Sequence, residues 1–159
     1  MKRSILILLL SVLILLAGCR SDPPVISDTF EAQITISGGT IDCSAELSRT
    51  PQAVIVTLTA PSSVAGICYT YTKGELHTSY GELSCITDSA SLPPSSAPML
   101  LCEALRRLDE AAYDSSEDDR DVFRLRLSEG EAIITCVDGF PQTITASFSP
   151  YTVTLEPKS

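Results

Sequence analysis

The sequence predicts an α+β fold, an antiparallel sheet covered by one main α-helix. Three observations carry this. Apolar and polar residues alternate in short runs from Phe30 to Ile86. The spacing changes to a helical one between Met99 and Tyr113. The alternation then returns from Val122 to Leu155. A sheet with one apolar face needs a cover, and the single amphipathic segment supplies it.

Phe30, Ala32, Ile34 and Ile36 share one face of a first strand, and Gly38-Gly39 marks a tight turn. Ile41, Cys43, Ala45 and Leu47 alternate on a second strand, which directs Cys43 toward the core. Arg49 to Gln52 breaks the run. Ala53 to Ala60, rich in Val, Ile and Thr, is a third strand, whose pattern leaves the faces of Val56 and Leu58 open. Pro61 to Gly66 connects to a β-rich segment, with Ile67, Tyr69 and Tyr71 on one side and Cys68 on the other. Lys73-Gly74 turns the chain, and two short strand pieces follow, Leu76 to Tyr80 and Leu83 to Ile86.

Ser91 to Pro98 is a Pro/Ser-rich linker. The helix expected over Met99 to Tyr113 carries Leu101, Ala104, Leu105, Leu108 and Ala112 along one stripe. Ser95 or Ser96 is placed to cap it, with Pro98 in its first turn. The acid-rich run from Asp109 to Asp121, with DSSEDDRD at its centre, reads as a solvated loop. Phe123, Leu125 and Leu127 then face one way and Arg124 and Arg126 the other. Ala132, Ile134 and Cys136 alternate with Ile133, Thr135 and Val137. Asp138-Gly139 is a hairpin signal, and Phe140 to Phe148 and Tyr151 to Leu155 complete the sheet.

The first residues, MKRSILILLLSVLILLAGC, have a basic start, a short apolar run from Ile5 to Ala17 and a small-residue exit. That pattern is a secretory signal, and the run is too short for a comfortable span of about 20 residues. Leu16-Ala17-Gly18-Cys19 resembles the lipobox of bacterial lipoproteins. The resemblance implies cleavage before Cys19, a diacylglyceryl thioether on its sulfur and further acylation of the new N-terminus in some bacteria. Each buried acyl carbon contributes roughly 0.8 kcal/mol to membrane attachment. Residues 1–18 are thus expected as the signal peptide, 19–27 as the lipidated cysteine with a short tether, and 28–156 as one domain. The expected location is the extracytoplasmic face of the cell membrane, with membrane lipid as the partner of Cys19.

Without residues 1–18 the chain has 141 residues, enough for one domain with a core. It loses Lys2 and Arg3 and no acid, so its formal charge moves from −9 to −11. No basic stripe is left to meet phosphates, which excludes nucleic acid as a partner. With Cys19 acylated, Cys43, Cys68, Cys85, Cys102 and Cys136 remain. They are either buried thiols or contributors to one or two disulfides, and their odd number leaves one thiol over or one intermolecular bond.

The layout of strands, one helix and strands again resembles the lipoprotein-carrier superfamily of LolA-like folds. In style it is similar to small lipoproteins of Gram-positive bacteria. The residues that carry the resemblance are Cys19, Phe30-x-Ala32-x-Ile34, the Pro61 to Gly74 block with GICYTYTKG, Tyr80-Gly81-Glu82-Leu83, and Leu92-Pro93-Pro94 before the helix. The resemblance implies a curved, incomplete antiparallel β-barrel with the helix on its open side. It further implies a cavity for lipid or lipopeptide, lined by Phe30, Ile34, Val56, Leu58, Tyr69, Tyr71, Leu101, Leu105, Phe123 and Leu125. The same apolar residues also suit a filled core, since periodicity does not separate core from pocket.

Catalytic signatures are thin. His77, the lone histidine, could pair with Cys68 or Cys85 as a nucleophile system, but no surrounding motif accompanies it. Ser62-Ser63 and Ser95-Ser96 lack nucleophile-elbow glycines. The run from Asp114 to Asp121 lacks EF-hand spacing, the cysteines lack zinc spacing, and Gly38-Gly39 is not a phosphate loop. The expectation is a non-enzymatic anchored lipoprotein, without metal or cofactor, that binds or hands on an apolar ligand. The alternative is an accessory envelope lipoprotein acting by contact with another protein.

Overall fold

The computed structural model describes residues 23–158 except 41, 73, 89, 90 and 94. The expected signal peptide and Cys19 lie outside the described residues, as do Ile41, Lys73 and Pro94 of the segments read above.

The alternating runs form eleven strands. They are β1 (Phe30–Ser37), β2 (Cys43–Arg49), β3 (Val54–Ala60), β4 (Cys68–Thr72), β5 (Glu75–Tyr80) and β6 (Leu83–Asp88). After the helix come β7 (Ala112–Glu117), β8 (Arg120–Leu127), β9 (Gly130–Val137), β10 (Phe140–Ala146) and β11 (Thr152–Pro157). One antiparallel sheet holds them all, in the order β6-β5-β4-β3-β2-β1-β11-β10-β9-β8-β7. Each half of the chain is a meander of neighbours, and β1 joins the halves by pairing with β11, Ile34 opposite Leu155. The sheet is open, with β6 and β7 as its edges, which agrees with the incomplete closure the resemblance implies, but it is not strongly curved as a barrel would be.

Period-two alternation puts one apolar set on one face. Ala32, Ile34 and Ile36 of β1, Ala45 and Leu47 of β2, and Val54, Val56 and Leu58 of β3 are buried. Phe123, Leu125, Ala132, Ile134, Ile144, Val153 and Leu155 continue that face across the second half. The cover is α1 (Ala97–Arg106), which buries Met99, Leu100, Leu101, Cys102, Ala104 and Leu105 and lies against β3, β4, β8 and β10. Burying a leucine or isoleucine side chain contributes about 1.5–3 kcal/mol, so this layer is the main source of stability.

The helix is shorter than its spacing predicts. It ends at Arg106, a 3-10 turn spans Leu108–Glu110, and Ala112 and Tyr113 belong to β7. Leu108 keeps its inward place, buried to 2% exposure, while Tyr113 stands opposite Phe123 with its ring 5.8 Å away. The expected solvated loop is likewise a hairpin. β7 and β8 pair through it, Glu117 opposite Arg120, around Asp118 and Asp119 in left-handed conformation. Aspartate tolerates that region because its short side chain bonds locally to the backbone. At the helix start Ser96 is the cap residue and a proline occupies the first turn, but the Ser96 hydroxyl makes no capping bond.

Candidate functional site

The inner face is not filled everywhere. A cavity of about 240 Å³ lies between the first half of α1 and the sheet. Its floor is Ile36 of β1, Cys43 of β2, Val56 and Leu58 of β3, and Tyr69 of β4. Ala97, Pro98, Leu101 and Cys102 roof it, and Val64 and Tyr151 close the sides.

Local sequence explains the gap. Ala97 and Pro98 begin the helix with short side chains where larger ones would reach the sheet. Gly39 makes room for Tyr151, since a Cβ there would stand 2.6 Å from the tyrosine ring. Gly38 has φ of +101° and a Cβ on it would collide with the Pro150 carbonyl, so the turn needs both glycines to seat that wall. The polar atoms at the lining are few. Burial raises the pKa of the half-buried Tyr69 hydroxyl, and the nearby Cys102 and Cys43 thiols raise it further. Burial pushes the Cys102 thiol up to about 12, so it stays protonated. Such a surface binds by apolar contact and by exclusion of water, with little means of fixing a charge.

Among the residues expected to meet a ligand, the structure places Val56, Leu58, Tyr69 and Leu101 on the cavity. Phe30, Ile34, Tyr71, Leu105, Phe123 and Leu125 lie elsewhere in the core or at its margin. Ile36, Cys43, Val64, Ala97, Pro98, Cys102 and Tyr151 line the cavity without having been expected there. Ile36 and Cys43 carry a signal in the alternation, and Tyr151 keeps phase with Val153 and Leu155. Val64, Ala97 and Pro98 sit in segments read as connections, which have no period to read. Cys43 faces inward as expected but is half-buried, as a wall of the cavity. Cys68, Cys85, Cys102 and Cys136 are thiols in this structure.

A second cleft, about 370 Å³, lies under Arg49 and Arg106 with Asp28, Asp109 and Glu110 around it. Its cations are already engaged. Arg49 donates to the carbonyls of Leu105 at 2.6 Å, Ser27 at 3.3 Å and Asp28, and Arg106 stands 5.9 Å over the Tyr71 ring.

The residues weighed for chemistry are not brought together. His77 Nε2 lies 3.4 Å from Glu75 Oε2. Cys68 Sγ is 3.9 Å from the Thr70 hydroxyl, and Cys85, opposite Thr78, projects from the other face of the sheet. In the acidic hairpin Asp114 pairs with Arg124 at 3.0 Å. Among the described residues no group of three or more His, Cys, Asp or Glu could hold a metal ion. Among them, too, no helix is long and apolar enough to cross a membrane.

Comparison with protein-family models and with curated proteins returned no match. Among solved structures, the fold is similar to that of an uncharacterised conserved protein from Thermus thermophilus. That likeness has a TM-score of 0.49 and 11% identity, and covers 84% of this chain and 80% of the other. It is also similar to a LolA superfamily protein from Nitrosomonas europaea, with a TM-score of 0.45 and 13% identity, over 79% of this chain and 66% of that one.

Proposed function

We propose that this is an anchored extracytoplasmic lipoprotein, attached through Cys19, that binds an apolar ligand in the cavity beneath the first half of α1. The cavity itself is the supporting observation, because a domain with no use for the space would gain stability by filling it. Its size constrains the ligand. An apolar cavity of roughly 150 Å³ accepts a benzene ring, so about 240 Å³ suits one end of a single acyl chain and not a whole lipid. Val56, Leu58, Tyr69 and Leu101 are the proposed contacts, joined by Ile36, Val64, Ala97 and Tyr151. Native mass spectrometry of the protein extracted from membranes tests the reading. An acyl-bearing adduct is expected, and Ala97→Phe, which fills the space, is expected to remove it while leaving the thermal transition in place. Repeated recovery of the wild-type protein without an adduct overturns the reading.

The second reading, contact with another envelope protein, draws on the β6 edge. Leu83 and Ile86 are exposed there by 74% and 63%, and Tyr80 at the end of the neighbouring β5, opposite Leu83, by 57%. A sheet edge with unpaired backbone groups and apolar side chains is suited to adding a strand from a partner.

A further inference from the structure

Five cysteines fall within the described chain, and the sheet order sorts their possible partners. Cys85 is on β6, Cys68 on β4, Cys43 on β2 and Cys136 on β9. The nearest of these strands are two ladders apart in the sheet. At about 4.8 Å per ladder, nearly 10 Å separates them, whereas a disulfide needs Cα atoms within about 7 Å. Cys68 is further set apart by its face, since it stands opposite Thr57 and Ser79 on the side away from the helix. No two cysteines of the sheet can therefore join within one molecule.

Cys102 is the exception, as the sixth residue of α1 over the inner face. It lines the same cavity as Cys43, and the Tyr69 hydroxyl feels both thiols. We propose that Cys43 and Cys102 close a disulfide across this cavity under oxidation, while Cys68, Cys85 and Cys136 stay as thiols. The pairing rests on the sheet order and the shared cavity and does not require an apolar ligand.

The chemistry is thiol–disulfide exchange with an external disulfide. Cys43 is the more accessible of the two. Its thiolate attacks one sulfur of the oxidant, forms a mixed disulfide and expels the first thiolate, which takes up the Cys43 proton. The Cys102 sulfur then displaces the second thiolate, which takes up the Cys102 proton. Two thiols and one disulfide become one disulfide and two thiols, with two electrons passing to the oxidant. Burial holds Cys102 protonated and so slows its attack, and the tethering of the mixed disulfide beside it on Cys43 offsets that cost by making the second step intramolecular.

The test uses the reduced protein incubated with oxidised glutathione, alkylated in denaturant and mapped without reduction. Cleavage at Lys and Arg together with cleavage before Asp88 places Cys43, Cys85 and Cys102 on separate peptides. The expected result is one linked pair, the Cys43 and Cys102 peptides, with both positions lost from the alkylated pool. Cys43→Ser should abolish the link, and Cys68→Ser, at a half-exposed position outside the cavity, should leave it intact. A different linked pair, a stable glutathione adduct on Cys43, or full alkylation of both residues would overturn the assignment.

Discussion

Arg49 is the one charged side chain buried among the described residues, at 2% exposure. Desolvation lowers its pKa, and Asp28 and Asp109 oppose that shift. Its guanidinium ties the last turn of α1 to the chain before β1 by donating to the carbonyls of Leu105, Ser27 and Asp28. Arg49→Met keeps much of the length but strands those carbonyls. A loss of about 2–4 kcal/mol in urea unfolding is expected, with partial recovery in Arg49→Lys. Cys102 gives a pH signature. Its folded pKa of about 12 exceeds the unfolded value of roughly 8.5, so the unfolded chain releases this proton first. The contribution is complete below the unfolded value and declines above it, by up to about 1.4 kcal/mol per pH unit until about pH 12. In reductant, moving from about pH 8 to about pH 10 should cost the wild type more stability than Cys102→Ala. Equal losses would mean that the thiol is hydrated. Neither residue stood out in the sequence. Arg49 continues the inward phase of Ala45 and Leu47, but charge placed it in a break. Cys102 sat beside the helical stripe and not on it.

The strands and the helix were legible because burial on one face leaves a period in the sequence. Where that condition fails, so does the reading. β7 is an edge strand, largely exposed on both faces, so its residues AYDSSE show no alternation and the acids around it suggest a loop. The helical stripe ran on to Ala112 because Leu108 suits either structure, and pairing of β7 with β8 then outweighed local propensity. β6 is the opposite edge, with Leu83 and Ile86 exposed. Nothing inside the domain holds these side chains, so Leu83→Lys and Ile86→Lys should change stability by less than about 0.5 kcal/mol. Both should lower the yield of a photo-crosslink placed at Thr87, if this edge receives a partner. An unchanged yield would leave the edge without that role.

The cavity was the least legible feature, because a pocket is defined by atoms that are missing from several elements at once. Short side chains at Ala97 and Pro98 and two glycines far away in the sequence combine to leave it. Its position along the molecule is nonetheless set by topology. The chain enters near Arg49 and the β9–β10 turn, where the Ser27 amide donates to the Gly139 carbonyl at 2.8 Å. β1 then runs to the other end, where Ser149 Oγ bonds to the Ser95 carbonyl at 3.3 Å beside the start of α1. If the tether limits access of the cavity to the bilayer, insertion of a flexible spacer between Asp22 and Pro23 should speed uptake of a fluorescent fatty acid from the host vesicle. Uptake from solution should stay the same. Equal rates for both spacer lengths would argue against such a limit.

If Cys19 anchors the chain as proposed, the domain hangs from the bilayer by the Arg49 pole and holds the cavity toward the opposite pole, beside Ile36, Cys43 and Ala97. Cargo arriving from beyond the cell would then reach that end first, whereas an acyl chain of the supporting leaflet would reach it only after the whole body had tipped over.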